Sequence, residues 1–160
     1  MSSSDGCRKA RQQMKLHTAS EVISLARELE NRSAQFYENL SQQYGKNQDI
    51  FLRFARENEK TIVQVERTYY GVISDAIEGG YAFDMDPDGY TLETELDKGA
   101  TYKDALNQAI LMENSLIKFY SDAAAQSKSL MADIPRTFIT VAMKKEKRIL
   151  ELGSLFQQQA

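Results

Sequence analysis

At 160 residues, 42% of them hydrophobic and 27% charged, the chain has the size and composition of one folded domain with a single core. A net charge of -3 argues against a nucleic-acid footprint, no apolar run reaches the length of a bilayer span, and the opening residues lack a signal-peptide core; neither nucleic acid nor membrane is an expected partner, and cytoplasm is the expected location. The one cysteine, Cys7, excludes an internal disulfide, a four-cysteine iron centre and a zinc knuckle.

Residues 1–17 carry almost no apolar periodicity and are expected to form a flexible tail, with 18–160 as the folded unit. Thr18-x-x-Glu21 has the form of a capping box, in which a side-chain oxygen accepts from an orphan N–H and the acid favours the positive helix end. A first helix is therefore predicted from about Ser20 to Tyr44, with Gly45 as its stop. The second begins near Asn47 or Asp49 and runs to about Ala76, ahead of Gly79-Gly80; Phe51, Phe54, Ala55, Asn58, Ile62 and Val65 share its inward stripe. A long connection, about Gly79 to Gly99, follows. Thr101-x-x-Asp104 opens a third helix from about Tyr102 to Ser127. The fourth opens at Asp133-Ile134-Pro135, where proline suits a first turn, and runs to about Phe156 with Phe138, Val141, Ala142, Lys145, Ile149 and Leu152 on one face.

The chain also repeats itself. Residues 18–43 align without a gap on residues 101–126, matching Ala26 with Ala109, Glu30-Asn31 with Glu113-Asn114 and Phe36-Tyr37 with Phe119-Tyr120. Residues 51–65 lie on residues 138–152, matching Phe51 with Phe138, Ala55 with Ala142, Glu59-Lys60 with Glu146-Lys147 and Ile62 with Ile149. Two copies of one helical hairpin imply a four-helix bundle. Each inward stripe carries polar residues at its centre: Glu30 and Glu113 on the first and third helices, Asn58 on the second, Lys145 on the fourth. A lysine between Ala142 and Ile149 is unexpected, because an unpaired buried ammonium is costly.

Together the two Glu-x6-Tyr segments, Glu30 to Tyr37 and Glu113 to Tyr120, and the two Ala-x-x-x-Glu-Lys segments at 55–60 and 142–147 resemble the rubrerythrin-like branch of the ferritin-like superfamily. The resemblance covers nearly everything from Thr18 to Phe156. It implies an all-α ferritin-like four-helix bundle with a long crossover between helices two and three, and a homo-oligomer, with a dimer favoured by analogy. In that family one helix of each hairpin supplies a lone Glu and the other a Glu-x-x-His, and together they hold two irons. Glu30 and Glu113 occupy the lone-Glu positions. The other two motifs are broken: Asn58-Glu59-Lys60-Thr61 and Lys145-Glu146-Lys147-Arg148 stand where Glu-x-x-His should be, and the only histidine, His17, precedes the first helix.

Of the family's four carboxylates two remain, and Lys145 and Arg148 meet them, so the cavity is balanced with no metal. A guanidinium does not lose its proton and repels iron at close range. A degenerate di-iron site at Glu30, Asn58, Thr61, Glu113, Lys145 and Arg148 is the expectation, with no core metal, no cofactor and no catalytic residue. The plainer alternative is that Glu30 and Glu113 are helix acids with local partners and that Lys145 snorkels to the surface. Tyr37 and Tyr120 read as packing residues, and Glu57, Glu59 and Glu146, about 100° off the stripe centres, as surface or flank charges.

One further pattern lies in the long connection. Asp84, Asp86 and Asp88, then Gly89, Tyr90 and Glu95, satisfy the spacing of an EF-hand loop, with four side chains and the Tyr90 carbonyl as calcium ligands. Gly79-Gly80 before the loop, Pro87 and Thr91 within it and the lack of a second loop all weigh against calcium. Three functions follow in order: a structural or partner-binding bundle that is not an enzyme, a di-iron oxidoreductase or peroxide-handling protein, and a calcium-binding module.

Overall fold

A computed structural model describes residues 15–73, 82–130 and 132–159. It contains four α-helices: α1 (Ala19–Gln43), α2 (Gln48–Ile73), α3 (Tyr102–Gln126) and α4 (Asp133–Gln157). No strand occurs among the described residues. Both capping boxes form. Thr18 accepts from the Glu21 N–H while the Glu21 carboxylate accepts from the Thr18 N–H, and Thr101 and Asp104 do the same for α3. The first hairpin turns at Gly45 and Asn47, both in the left-handed region at φ 63° and 55°, which glycine and asparagine tolerate best. The predicted end of the second helix at Ala76 and the Gly79-Gly80 stop fall outside the described residues, as do residues 1–14 of the expected tail.

Cross-helix bonds fix the packing. Arg53 on α2 pairs with Glu151 on α4, while Thr68 and Thr137 bond at the opposite end of the same two helices, so they run antiparallel. The N-termini of α2 and α3 lie side by side, where Asn47 donates to the Tyr102 hydroxyl at 2.7 Å. Residues 82–101 lie along α1 and α3. Gln126 bonds both backbone groups of Asp84, the Tyr90 hydroxyl donates to Asp122, Arg32 donates to the Leu92 carbonyl and Gln108 to those of Glu93 and Glu95, and Tyr44 donates to the Ala100 carbonyl. Aromatic residues fill the centre, with Phe36, Tyr37, Phe51, Phe54, Phe119, Tyr120 and Phe138 all buried.

Two expectations need correction. The tail does not reach residue 17: Leu16 bridges Met85 through a reciprocal pair of backbone bonds at 2.7 and 3.1 Å, and the Phe83 N–H donates to the His17 carbonyl. Paired backbone groups hold that stretch down where apolar periodicity has nothing to report. The inward stripes also shift in phase, since Ile62 and Ile149 are only half-buried while their neighbours Thr61 and Arg148 are buried. No described helix is long and apolar enough to cross a membrane.

Candidate functional site: a buried ion cluster

Glu30 on α1 and Glu113 on α3 are both 0% exposed. Each takes a hydroxyl from the tyrosine of the opposite helix: Tyr37 donates to Glu113 Oε1 at 2.5 Å, and Tyr120 to Glu30 Oε1 at 2.8 Å. The crossing follows from helix geometry. A residue seven places on shares the face of its glutamate but stands about 10.5 Å further along the axis, out of reach within its own helix. Beside an antiparallel repeat of the same segment, it falls level with the other carboxylate.

Both cations come from α4. Lys145 Nζ donates to Glu30 Oε2 at 2.9 Å and to Asn58 Oδ1 at 3.2 Å. Arg148, one turn later, donates through Nη1 to Glu113 Oε1 at 3.1 Å and Asn58 Oδ1 at 2.6 Å, and through Nη2 to the Phe54 carbonyl and Glu57 Oε2, both at 3.1 Å. Lys145 is 2% and Arg148 4% exposed. Lys145 therefore does not snorkel. Asn58 sits between the two cations with its carbonyl oxygen toward both, the only amide orientation that two donors allow. Thr61 is buried but spends its hydroxyl on the Glu57 carbonyl at 3.0 Å. Glu113 Oε2 and Ser33 Oγ are buried without a partner among the described residues.

Electrostatics follow from this arrangement. Burial works against the Arg148 charge, yet the carboxylates of Glu113, Glu30 and Glu57 and the Tyr37 oxygen outweigh it and hold the guanidinium above its ordinary range. Burial first, and then the neighbouring carboxylate, raises the hydroxyls of Tyr37 and Tyr120 well above a free tyrosine, so both remain donors. Arg148 also lies over the rings of Tyr37 and Phe54, 5.3 and 4.7 Å from their centroids, where the ring faces add attraction.

Two parts of the sequence reading change, that of the tyrosine pair and that of Glu57. Tyr37 and Tyr120 do pack as core aromatics, Tyr37 stacked on Phe51 and edge-on to Phe54, but their hydroxyls also serve the cluster. Glu57, expected as a flank charge, reaches Arg148 while its side chain stays 42% exposed and also pairs with Arg53. The Glu-x6-Tyr spacing carried the first signal; nothing within one helix signalled the second.

No family model, curated protein or solved structure matches the chain.

The donor set does not suit a metal pair. Glu30 spends one oxygen on Tyr120 and the other on Lys145, Glu113 spends Oε1 on both Tyr37 and Arg148 and keeps only Oε2 open, and the other positions offer an amide, a committed hydroxyl, an ammonium and a guanidinium. Among the described residues no three His, Cys, Asp or Glu side chains are grouped to hold a metal ion. That holds for the EF-hand pattern too. Asp84 faces Lys15, Asp86 caps a 3₁₀ turn (Pro87–Tyr90) by accepting from the Asp88 N–H, and Tyr90 is buried, with its hydroxyl on Asp122 and its ring edge-on to Phe119. The segment serves as a strap across α3, and its alternating acids keep its outer edge in water.

Proposed function

We propose that the chain is a rubrerythrin-like, ferritin-fold bundle whose di-iron site has been lost and replaced by the Glu30, Lys145, Arg148 and Glu113 cluster. In this reading it is a metal-free, non-catalytic structural or partner-binding protein of the cytoplasm that self-associates as a dimer. The observation that carries the reading is the position of the two cations: Lys145 and Arg148 stand between carboxylates from α1 and α3, in contact with Asn58 of α2. Iron chemistry needs several open ligands, and here Glu113 Oε2 is the one carboxylate oxygen of that centre without a partner among the described residues. The bonds of residues 82–101 along the bundle support the long crossover between the second and third helices.

Rebuilding the motifs tests the reading. Asn58→Glu, Thr61→His, Lys145→Glu and Arg148→His together restore Glu-x-x-His on α2 and α4 beside Glu30 and Glu113. Ferrous iron titrated anaerobically should bind that variant at up to two ions per chain and leave the parent unliganded. A folded variant that takes no iron would overturn the ferritin-like placement; a parent that takes two would overturn the loss of the site.

A further inference from the structure

The seam between α2 and α4 carries a second constellation, on the solvent side of the buried cluster. Antiparallel neighbours with charged flanks ordinarily set opposite charges against each other, because facing like charges are destabilising. One end of this seam obeys that rule, with Arg53 on Glu151, and the far end is closed by the Thr68 to Thr137 hydrogen bond. Between them opens a groove of about 330 Å³, and its walls are lysines from both helices: Lys60 on α2, Lys144 and Lys147 on α4. All three are exposed. Lys144 reaches only the Gln64 amide oxygen, at 3.3 Å, and Lys60 and Lys147 have no hydrogen bond or ion pair with any described residue.

The carboxylates at the groove are already committed. Glu57 is taken by Arg53 and Arg148, and Glu151 by Arg53. Glu59 and Glu146, each next to one of these lysines in sequence, point about 100° away along their helices and do not line the groove. Three ammonium groups therefore face one opening whose two lining carboxylates, Glu57 and Glu151, are already paired with arginines, on a chain whose net charge is -3. At its floor lies Arg148, whose Nη groups are fully used by Asn58, Glu113, Phe54 and Glu57 and whose Nε–H has no hydrogen bond to any described residue.

We propose that this groove is a binding site for a small multivalent oxyanion of the phosphate-bearing class, held by Lys60, Lys144 and Lys147 above the edge of Arg148. Lysine serves as a compact point charge for phosphate, and several around one concavity favour a ligand with several charges over a monocarboxylate. Closure of the seam at both ends fits a short ligand and not a running polymer.

Calorimetric titration of the full chain with sodium tripolyphosphate, at about 50 mM salt where surface charges are only partly screened, tests this. Saturable binding of one ligand per chain is expected, together with a raised melting temperature. The Lys60→Gln, Lys147→Gln variant should bind at least about tenfold more weakly while unfolding, without ligand, at the parent's temperature or above it. Lys98→Gln, Lys128→Gln, which removes the same charge elsewhere, should leave binding unchanged. Absence of saturable binding, or equal weakening in both double variants, would overturn the site. Vesicles bearing phosphatidic acid distinguish the source. Co-sedimentation that tripolyphosphate displaces supports a lipid headgroup at this groove, and tripolyphosphate binding without co-sedimentation supports a free anion.

Discussion

An ammonium with 2% exposure, as at Lys145, is tolerable only because Glu30 and Asn58 meet it. Lys145→Met should leave the Glu30 carboxylate with Tyr120 as its remaining side-chain partner and cost about 3 to 5 kcal/mol in urea unfolding, the range for breaking a buried pair. Adding Glu30→Gln removes the stranded charge and should recover most of that loss. A Lys145→Met protein as stable as the parent would contradict the pairing. The tyrosines give a second test through pH. Because folding raises the Tyr37 and Tyr120 hydroxyls well above 10, the unfolded chain loses these protons first as the solution turns alkaline. Their contribution is complete below about pH 10 and is lost above it, at up to about 1.4 kcal/mol per pH unit for each tyrosine. Urea unfolding from pH 9 to 11.5 should show a shallower alkaline decline in Tyr37→Phe, Tyr120→Phe than in the parent; identical slopes would refute the raised hydroxyls. Lys145 was legible in sequence because it interrupts an apolar stripe. Glu57 was not, since its partner Arg148 arrives on another helix and the period of one helix holds no information about its neighbour's register.

At the scale of elements, the helices were the most legible part, because caps and periodicity are local. The four starts and the three described ends fall within two residues of the positions read from Thr18, Gly45, Thr101 and Pro135. The connection was the least legible. Its alternating acids match a calcium loop by spacing, yet spacing does not record that Tyr90 is needed in the core or that Gln126 and Asp122 hold the segment from α3. Calcium would have to gather Asp84, Asp86, Asp88 and Glu95 from a strap already bonded elsewhere, and ordering them anew costs conformational entropy. Calorimetry with calcium is expected to show no micromolar binding. Micromolar affinity abolished by Asp84→Ala, Glu95→Ala would reverse that conclusion.

For the whole molecule, the internal repeat gives a pseudo-symmetric frame of crossed carboxylate and tyrosine pairs, into which α4 alone inserts both cations. The symmetry belongs to the scaffold and the asymmetry to the charges, as expected if a duplicated hairpin kept its packing while its centre changed chemistry. Self-association belongs to the same reading, and light scattering should return about twice the 18.2 kDa of one chain; a mass of one chain at micromolar concentration would remove the dimer from it. The most direct measurement is the metal content of the full-length protein, expressed with excess iron, purified without chelator and analysed by inductively coupled plasma mass spectrometry. A core already neutralised by Lys145 and Arg148 should yield no stoichiometric iron, whereas two irons per chain would contradict the replacement of metal by side chains.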